Sequence, residues 1–162
     1  MKYYLDCEFN GFEGELISMA LVSDGSREIY LANKEFERAA HWAKKQPEIK
    51  TPGIDPWVWA NVLPIIETPY AAPLWCPLNQ FAAHLSTLFL GDRAPIVATD
   101  WPDDIKYLCQ CLITGPGEMI NIPGITFEMH RVDAYPTTMP EAVQHNAYSD
   151  AMALRHKLTG AA

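Results

Sequence analysis

The sequence lacks the usual features of a membrane or secreted protein. No apolar run approaches the roughly 20 residues that a membrane-spanning helix needs, and the stretch before Asp6 has one Lys and no apolar signal region. Cysteine is also scarce, and the four cysteines contain no C-x-x-C pair. These absences argue against a disulfide framework and a zinc site, and they predict reduced thiols, a cytoplasmic location and no membrane partner.

Basic residues are scarce too, with 12 Lys and Arg against 20 Asp and Glu, which gives a formal net charge of −8. This balance argues against broad, sequence-blind binding to a polyanion. It leaves open an enzyme that acts on nucleic acid with bound divalent cations. The 162 residues are 49% hydrophobic and 20% charged, an ordinary globular composition. We therefore expect one domain over residues 1–162, long enough for a single well-buried core.

Apolar periodicity and turn residues predict strands and helices along the whole chain. Strands are predicted at 3–9, 15–23, 27–32, 95–99 and 125–132, and helices at 34–46, 57–63, 78–90, 102–113 and 147–158. Short turns join the first three strands, which indicates an antiparallel meander. Strands then alternate with helices, which is typical of parallel strands covered by helices. The sequence therefore predicts an α/β fold with a mixed five-stranded sheet flanked by helices.

Residues 47–77 differ in composition from the rest of the chain, because they contain seven of the thirteen prolines and three of the five tryptophans. Outside one short helix we expect this segment to be irregular but ordered, since it is too aromatic for a disordered linker. Long irregular segments in compact domains are often covers or contact surfaces. We expect this one to lie over a sheet edge or a neighbouring subunit.

Two carboxylates stand out in the first predicted strand. Residues two apart on a strand point to the same face, so Asp6 and Glu8 project side by side. In an apolar strand, two adjacent carboxylates repel each other and lose hydration. Divalent cations held by oxygen ligands would compensate for both effects. The alternative is an edge strand whose polar face meets water, and the pair alone favours that interpretation.

A second acidic stretch surrounds the start of the helix predicted at 102–113. Its apolar stripe places Asp104 at the edge that looks toward the sheet and Asp103 nearly opposite. Asp103 suits a helix start, where acidic residues interact favourably with the helix dipole. Asp100 is interpreted as a cap at the strand end.

A third stretch, His145 to Ala151, opens the last helix. Its apolar stripe begins with the small residues Ala147 and Ala151, which would allow close approach to the sheet, and Asp150 lies at the edge of that stripe. A carboxylate on a packed face must be paired or bound to metal. His145 lies just before the helix, where its side chain can point toward a group bound by Asp150. Taken alone, His145 would be interpreted as a helix-cap or surface histidine.

Together the three stretches resemble the DEDDh, or DnaQ-like, 3′–5′ exonucleases. The family pattern is D-x-E on the first strand, an Asp at the start of a middle helix and H-x-A-x-x-D-A opening the last helix, and the match runs from Asp6 to Leu158. The compact length and the Asp-Cys-Glu-Phe motif are most similar to the small bacterial and phage 3′–5′ exoribonucleases. The resemblance implies a ribonuclease H-like fold with strand order 3-2-1-4-5 and strand 2 antiparallel.

The resemblance also implies roles for individual residues. The implied metal ligands are Asp6, Glu8, Asp104 and Asp150, with His145 as the general base. Asp6 would bridge two cations, which would activate a water and stabilise the departing 3′ oxygen. Oxygen ligands favour Mg²⁺ or Mn²⁺ over zinc. A substrate's terminal base also needs an aromatic platform, for which Phe9 is the first candidate and Trp101 the second; either could instead be core, and for Trp101 we expect core packing.

The implied activity is hydrolysis from the 3′ end of single-stranded RNA or DNA, with RNA preferred and nucleoside 5′-monophosphates as products. A homodimer is also expected from the resemblance. A 3′–5′ exodeoxyribonuclease or a proofreading-type subunit is the alternative within the family. A non-catalytic nucleic-acid-binding module is disfavoured because all four carboxylates and the histidine are present. A phosphatase with a nucleophilic Asp would need a second Asp where Glu8 stands.

Overall fold

The computed structural model describes residues 1–131 and 142–160. Within these ranges the chain forms eight strands and five α-helices. The strands are β1 (Lys2–Phe9), β2 (Leu16–Ser23), β3 (Glu28–Asn33), β4 (Leu74–Cys76), β5 (Ile96–Thr99), β6 (Ile113–Gly115), β7 (Glu118–Met119) and β8 (Thr126–Met129). The helices are α1 (Glu37–Lys45), α2 (Pro56–Asn61), α3 (Phe81–Phe89), α4 (Pro102–Leu112) and α5 (Ala147–Thr159). Short 3-10 turns lie at Lys34–Phe36, Leu63–Ile65 and Leu78–Gln80.

Over residues 1–131 and 142–160, the main sheet has six strands in the order β4-β3-β2-β1-β5-β8. Strand β2 runs antiparallel to its neighbours β1 and β3, whereas the β1–β5, β5–β8 and β3–β4 pairs are parallel. A mixed, mostly parallel sheet with flanking helices fits a ribonuclease H-like kind of fold. The predicted five-stranded sheet is therefore corrected to six strands, because β4 extends the predicted order at the β3 edge.

The sequence did not predict β4, β6 or β7. Strand β4 lies in the segment expected to be irregular, and its three residues become a strand by pairing with the distant β3. Strands β6 and β7 form a small hairpin around Gly117, where only a turn was expected. The strand predicted at 125–132 is shorter, Thr126–Met129, and Val132 lies outside the described residues. Such short strands contain too few residues for a periodic pattern to identify them.

Strand β1 is buried on both faces of the sheet. Tyr3, Leu5 and Cys7 pack in the core that contains α3 and α4. Tyr4 packs on the other face with Ala98 of β5 and Leu154 of α5. Since side chains alternate along a strand, the Tyr4 face continues into Asp6 and Glu8, which therefore lie on the α5 side of the sheet.

Residues 47–77 pack against residues of β2 and β3 and also provide the edge strand β4. The segment is anchored by apolar residues that share a core with α1 and α5, namely Val58, Trp59, Val62, Leu63 and Ile66. The buried Trp59 donates its indole N–H to the carbonyl of Pro47 at 2.9 Å. The segment therefore lies at the β3 edge of the sheet, which is one of the two locations expected for it.

All four cysteines are free thiols. Among the helices of the two described ranges, none has the length and apolar character needed to cross a membrane.

Candidate active site

Strand β1 delivers the first two carboxylates at its C-terminal end. Asp6 and Glu8 lie opposite Ala20 and Ser18 of β2, and the pairing becomes irregular between Glu8 and Phe9. Irregularities of this kind are common beside active sites, where they change the direction of a side chain. The small β2 residues leave room above the strand, so the two carboxylates can face other elements rather than a packed core.

Helix α4 supplies the third carboxylate. Asp104 is buried, with 1% of its surface exposed, and its Oδ2 accepts a hydrogen bond from the Thr99 hydroxyl at 2.6 Å. Asp103 is half-buried and accepts from the indole N–H of Trp101 at 3.2 Å. The structure therefore places Asp104, rather than Asp103, toward the sheet.

Helix α5 supplies the fourth carboxylate and carries the histidine at its start. Asp150 is 6% exposed, and its Oδ2 accepts from the backbone N–H of His145 at 2.8 Å. Asn146 caps the helix, because its Oδ1 accepts from the Ser149 N–H at 3.0 Å. The fully buried Ala147 and Ala151 bring this helix close to the sheet. Close approach of α5 sets Asp150 above the carboxylates of β1.

The side chains converge in two groups of three within the described ranges. One group contains Glu8, His145 and Asp150, and the other contains Asp6, Asp100 and Asp104. In each group, one ligand atom from every residue lies within 4.8 Å of the others. All five residues that the sequence singled out for metal binding and catalysis are thus brought together, and Asp100 joins them.

Burial and repulsion from neighbouring carboxylates raise the pKa of all four carboxylates. Burial, followed by repulsion from Asp104, holds the pKa of Asp6 well above its ordinary value. Burial and the charge of Asp150 do the same to the pKa of Glu8. Burial raises the pKa of Asp104 to about 8 and that of Asp150 to about 7, although the Thr99 hydroxyl and the His145 N–H partly oppose it. Ionisation of these buried carboxylates is unfavourable unless a positive charge compensates for it.

The donor set fits divalent cations. Within residues 1–131 and 142–160, Asp6 Oδ2 is buried without a hydrogen-bond partner. Buried polar atoms are almost always satisfied, so an orphaned carboxylate oxygen indicates an unseen partner. Carboxylate oxygens are the ligands that Mg²⁺ and Mn²⁺ prefer. The acidic groups could therefore hold a divalent metal.

His145 differs from the carboxylates in its electrostatics. Burial lowers the pKa of His145, which favours the neutral imidazole that can accept a proton. Its backbone is left-handed, with φ of 65°, an uncommon conformation for a residue other than glycine that is often found at functional sites. The ring meets Trp57 edge-on, with centroids 4.8 Å apart and planes at 80°. One wall of the site therefore comes from α2.

Hydrogen bonds join the segment that carries Trp57 to the turn after β1. Asn10 Oδ1 accepts from the N–H of Asp55 at 2.8 Å, and Asn10 Nδ2 donates to the carbonyl of Gly53 at 2.9 Å. Asp55 in turn caps α2 by accepting from the Trp57 N–H at 2.8 Å. The position of Trp57 is thus tied to the end of the strand that carries Glu8.

A second connection joins this segment to the start of α5. Asn146 Nδ2 lies within hydrogen-bonding distance of the Ile65 carbonyl, at 2.9 Å, and the Tyr30 hydroxyl, at 3.2 Å. Tyr30 itself donates to the carbonyl of Ile66 at 2.8 Å. This buried network fixes the residue between His145 and α5, so it positions the imidazole through the backbone.

The two aromatic platform candidates differ in exposure. Phe9 is partly buried and stacks on Tyr107, with ring centroids 4.9 Å apart and planes at 27°. Tyr107 is held by a hydrogen bond from its hydroxyl to the Gly14 carbonyl. Trp101 is 56% exposed, so the expectation of core packing for Trp101 is wrong. Its bond to Asp103 holds the indole on the surface at the start of α4.

Sequence reasoning missed two residues of this site. Asp100 was interpreted as a cap, but Trp101 occupies the position before α4 and the Asp100 carboxylate joins Asp6 and Asp104. The signal available was its position directly after the strand predicted at 95–99, but its approach to β1 depends on pairing between two strands far apart in the chain. Trp57 gave no usable signal, because its contact with His145 depends on the path of a proline-rich segment.

The sequence matches no family model. It is similar to two proteins named 3′–5′ exoribonuclease, from the Mycobacterium tuberculosis strains CDC 1551 / Oshkosh and ATCC 25618 / H37Rv. Each is 27% identical to the chain over 139 residues, which cover 82% of this chain and 73% of the relative. The similarity supports a relationship to 3′–5′ exonucleases as a broad class.

Proposed function

We propose that this chain is a metal-dependent 3′–5′ exonuclease of the DEDDh type, acting on single-stranded nucleic acid. The observation that carries the proposal is the convergence of Glu8, His145 and Asp150 beside Asp6 and Asp104. Four carboxylates and one neutral histidine from three separate elements form a site for phosphodiester hydrolysis. The similarity to proteins named 3′–5′ exoribonuclease supports hydrolysis in the 3′-to-5′ direction.

The cations would be two Mg²⁺ or Mn²⁺ ions held by Asp6, Glu8, Asp104 and Asp150. When bound, they would supply the positive charge that stabilises attack on the phosphodiester and departure of the 3′ oxygen. The raised pKa values of the carboxylates support this assignment, because protons occupy positions where metal would replace them. The Thr99 hydroxyl orients the Asp104 carboxylate by donating a hydrogen bond to its Oδ2.

The chain's own contribution to proton transfer is His145. A neutral ring nitrogen would take a proton from the attacking water, which is the role of a general base. Burial keeps the imidazole neutral at physiological pH, and Trp57 limits its movement on one side. The hydrogen bond from the His145 N–H to Asp150 couples the position of this base to a ligand of the cation.

RNA is the proposed substrate in preference to DNA, because both similar proteins carry the name exoribonuclease. The proposed products are nucleoside 5′-monophosphates. Phe9 is the proposed platform for the terminal base: one face of its ring is supported by Tyr107, which would hold it rigid for stacking. Trp101, exposed at the start of α4, is the second candidate.

Digestion of single-stranded RNA and DNA oligomers of one sequence tests the proposal. Each is labelled at the 5′ or the 3′ end and incubated with Mg²⁺, Mn²⁺ or EDTA. We expect 5′-labelled RNA to shorten stepwise, 3′-labelled RNA to release mononucleotide at once, and EDTA to stop both. Preferential digestion of DNA would favour the exodeoxyribonuclease alternative. Metal-dependent binding without hydrolysis of either polymer would favour a non-catalytic binding module.

A homodimer and a cytoplasmic location are also proposed, both from the resemblance to small exonucleases. Light scattering at several protein concentrations checks the first of these. A mass of one chain at every concentration would rule out a stable dimer.

A further inference from the structure

We infer that Asp100 is a fifth carboxylate of the metal centre, sharing a divalent cation with Asp6 and Asp104. This inference rests on the proposed function and extends it, because the resemblance assigns four carboxylates and Asp100 is not among them. The cation would be Mg²⁺ or Mn²⁺, in keeping with an all-oxygen donor set. The three oxygens that would face it lie within 4.8 Å of one another.

The strand register explains how Asp100 reaches the site. Strands β1 and β5 are parallel, with Tyr3 beside Val97 and Tyr4 beside Ala98. Asp100 directly follows Thr99, the last residue of β5, at the end of the sheet where Asp6 lies. Paired residues of neighbouring strands point to the same face, and the Tyr4–Ala98 pair lies on the α5 face. Asp100 lies two residues beyond Ala98, so the alternation of side chains along the strand directs its carboxylate to the same face, where it meets Asp6 and Asp104.

A second, independent observation points to a ligand at this position. Asp6 is 9% exposed, and its Oδ2 lacks a hydrogen-bond partner among the described residues. Asp100 and Asp104 each add negative charge next to Asp6. A buried carboxylate between two others is unfavourable unless positive charge compensates. A cation shared by the three provides that compensation and occupies the unpartnered oxygen.

The contacts at the start of α4 are consistent with this role. The Thr99 hydroxyl accepts from the backbone N–H of Trp101 at 3.2 Å and lies 2.6 Å from Asp104 Oδ2. The indole of Trp101 pairs with Asp103. Thr99 therefore holds Asp104 in place through a hydrogen bond. Asp100, the residue after Thr99, directs its carboxylate toward Asp6 and Asp104.

Direct measurement of Mn²⁺ binding, without substrate, tests the inference. Isothermal titration calorimetry and electron paramagnetic resonance of bound Mn²⁺ are applied to the wild type and to Asp100→Asn. The matched control is Asp103→Asn, which removes an equal charge three residues along the chain and outside the group. We expect two Mn²⁺ per wild-type chain, and at least about a tenfold loss of affinity for one of them in Asp100→Asn. Asp103→Asn should bind as the wild type does.

The outcomes separate this inference from the proposed function. If Asp100→Asn and Asp103→Asn bind Mn²⁺ equally well, Asp100 is not a ligand, while the exonuclease proposal stands on hydrolysis by the wild type. If the wild type binds no divalent cation, both proposals fail. Asp100→Ser is a second variant, with a smaller side chain, whose folding is checked by circular dichroism. It should show the same loss of affinity for one of the two Mn²⁺ ions.

Discussion

The backbone N–H of His145 donates to Asp150 Oδ2 at 2.8 Å, so the proposed base and a proposed metal ligand share one hydrogen bond. His145 makes this bond from a left-handed backbone conformation, with φ of 65°. Asn146, fixed by Tyr30 and the Ile65 carbonyl, holds the chain in that conformation. Movement of either partner would therefore disturb both the proton acceptor and the cation site.

In the absence of metal, the free energy of unfolding should fall as the pH rises from about 4 to about 8. The pKa of Asp150 is raised to about 7 and that of Asp104 to about 8, whereas both are about 3.9 in an unfolded chain. Across that window the folded protein holds protons that the unfolded chain has released. Raising the pH therefore favours unfolding. Urea titrations in EDTA at several pH values measure the slope.

Saturating Mg²⁺ should reduce this slope, because the cation replaces the protons and stabilises the folded state. A metal-free protein whose stability rises over the same pH range would show that these carboxylates are ionised and compensated by other groups.

Asp6→Ala should abolish hydrolysis and leave the fold intact. The substitution removes a carboxylate that is repelled by its neighbours and whose buried Oδ2 has no hydrogen-bond partner in the part of the chain that the structure describes. In EDTA the midpoint of thermal unfolding should therefore be equal to or above that of the wild type. Turnover is measured in Mg²⁺ on labelled RNA. Near-normal turnover in this variant would overturn the whole assignment.

Asp104→Asn should lower turnover by at least roughly tenfold to a hundredfold, whereas Asp103→Asn should remain close to the wild type. Asp104 is buried beside Asp6, but Asp103 pairs with the indole of Trp101 at the surface. The two variants change the same charge at adjacent positions, so each serves as the control for the other. A greater loss in Asp103→Asn would show that the wrong acid of the pair has been assigned.

Much of this site could be predicted from the phase of side chains within single elements. The two-residue period of a strand pairs Asp6 with Glu8, and the helical period separates Asp104 from Asp103. Both follow from local sequence, because they depend on one element only. Asp100 could not be recognised as easily, since its place depends on the register between two strands far apart in the chain.

The same distinction applies to the fold. Long strands such as β1 and β2 have enough residues to show a pattern, so their positions were predicted closely. Strand β4 has three residues in a proline-rich segment and is formed only by pairing with β3. Its existence depends on tertiary contacts, which outweigh local preference in short strands.

Trp57→Ala should lower turnover and move the acidic limb of the pH–rate profile to higher pH. The indole edge covers the imidazole of His145, and burial is what lowers the pKa of His145. Exposing the ring should therefore raise that pKa toward its ordinary value. Trp57→Phe keeps an aromatic edge and should restore most of the activity.

Trp42→Ala is the matched control for Trp57. Trp42 meets His41 edge-on on α1, with centroids 5.7 Å apart, outside the candidate active site. If Trp57→Ala and Trp42→Ala both lose activity and neither shifts the acidic limb of the pH–rate profile, Trp57 has only a structural role.

His145 should set the acidic limb of the pH–rate profile at saturating metal. A base must be unprotonated to accept a proton, so activity should rise with pH through the titration of His145 and then level off. Because burial lowers the pKa of His145, the midpoint should lie below the ordinary histidine value. Carboxylate protonation also contributes at low metal concentration, and profiles at several Mn²⁺ concentrations separate the two, since only the carboxylate contribution depends on metal.

Replacing His145 should then remove that limb and lower turnover by a factor on the order of 10² or more. His145→Asn is the better matched variant, since asparagine tolerates the left-handed backbone of this position, and His145→Ala gives a second measurement. Both should still bind Mn²⁺ in calorimetry, because all the carboxylates remain. If both variants keep the wild-type pH dependence at a near-normal rate, His145 acts only as part of the helix start, and the proton leaves the attacking water without a base from the protein.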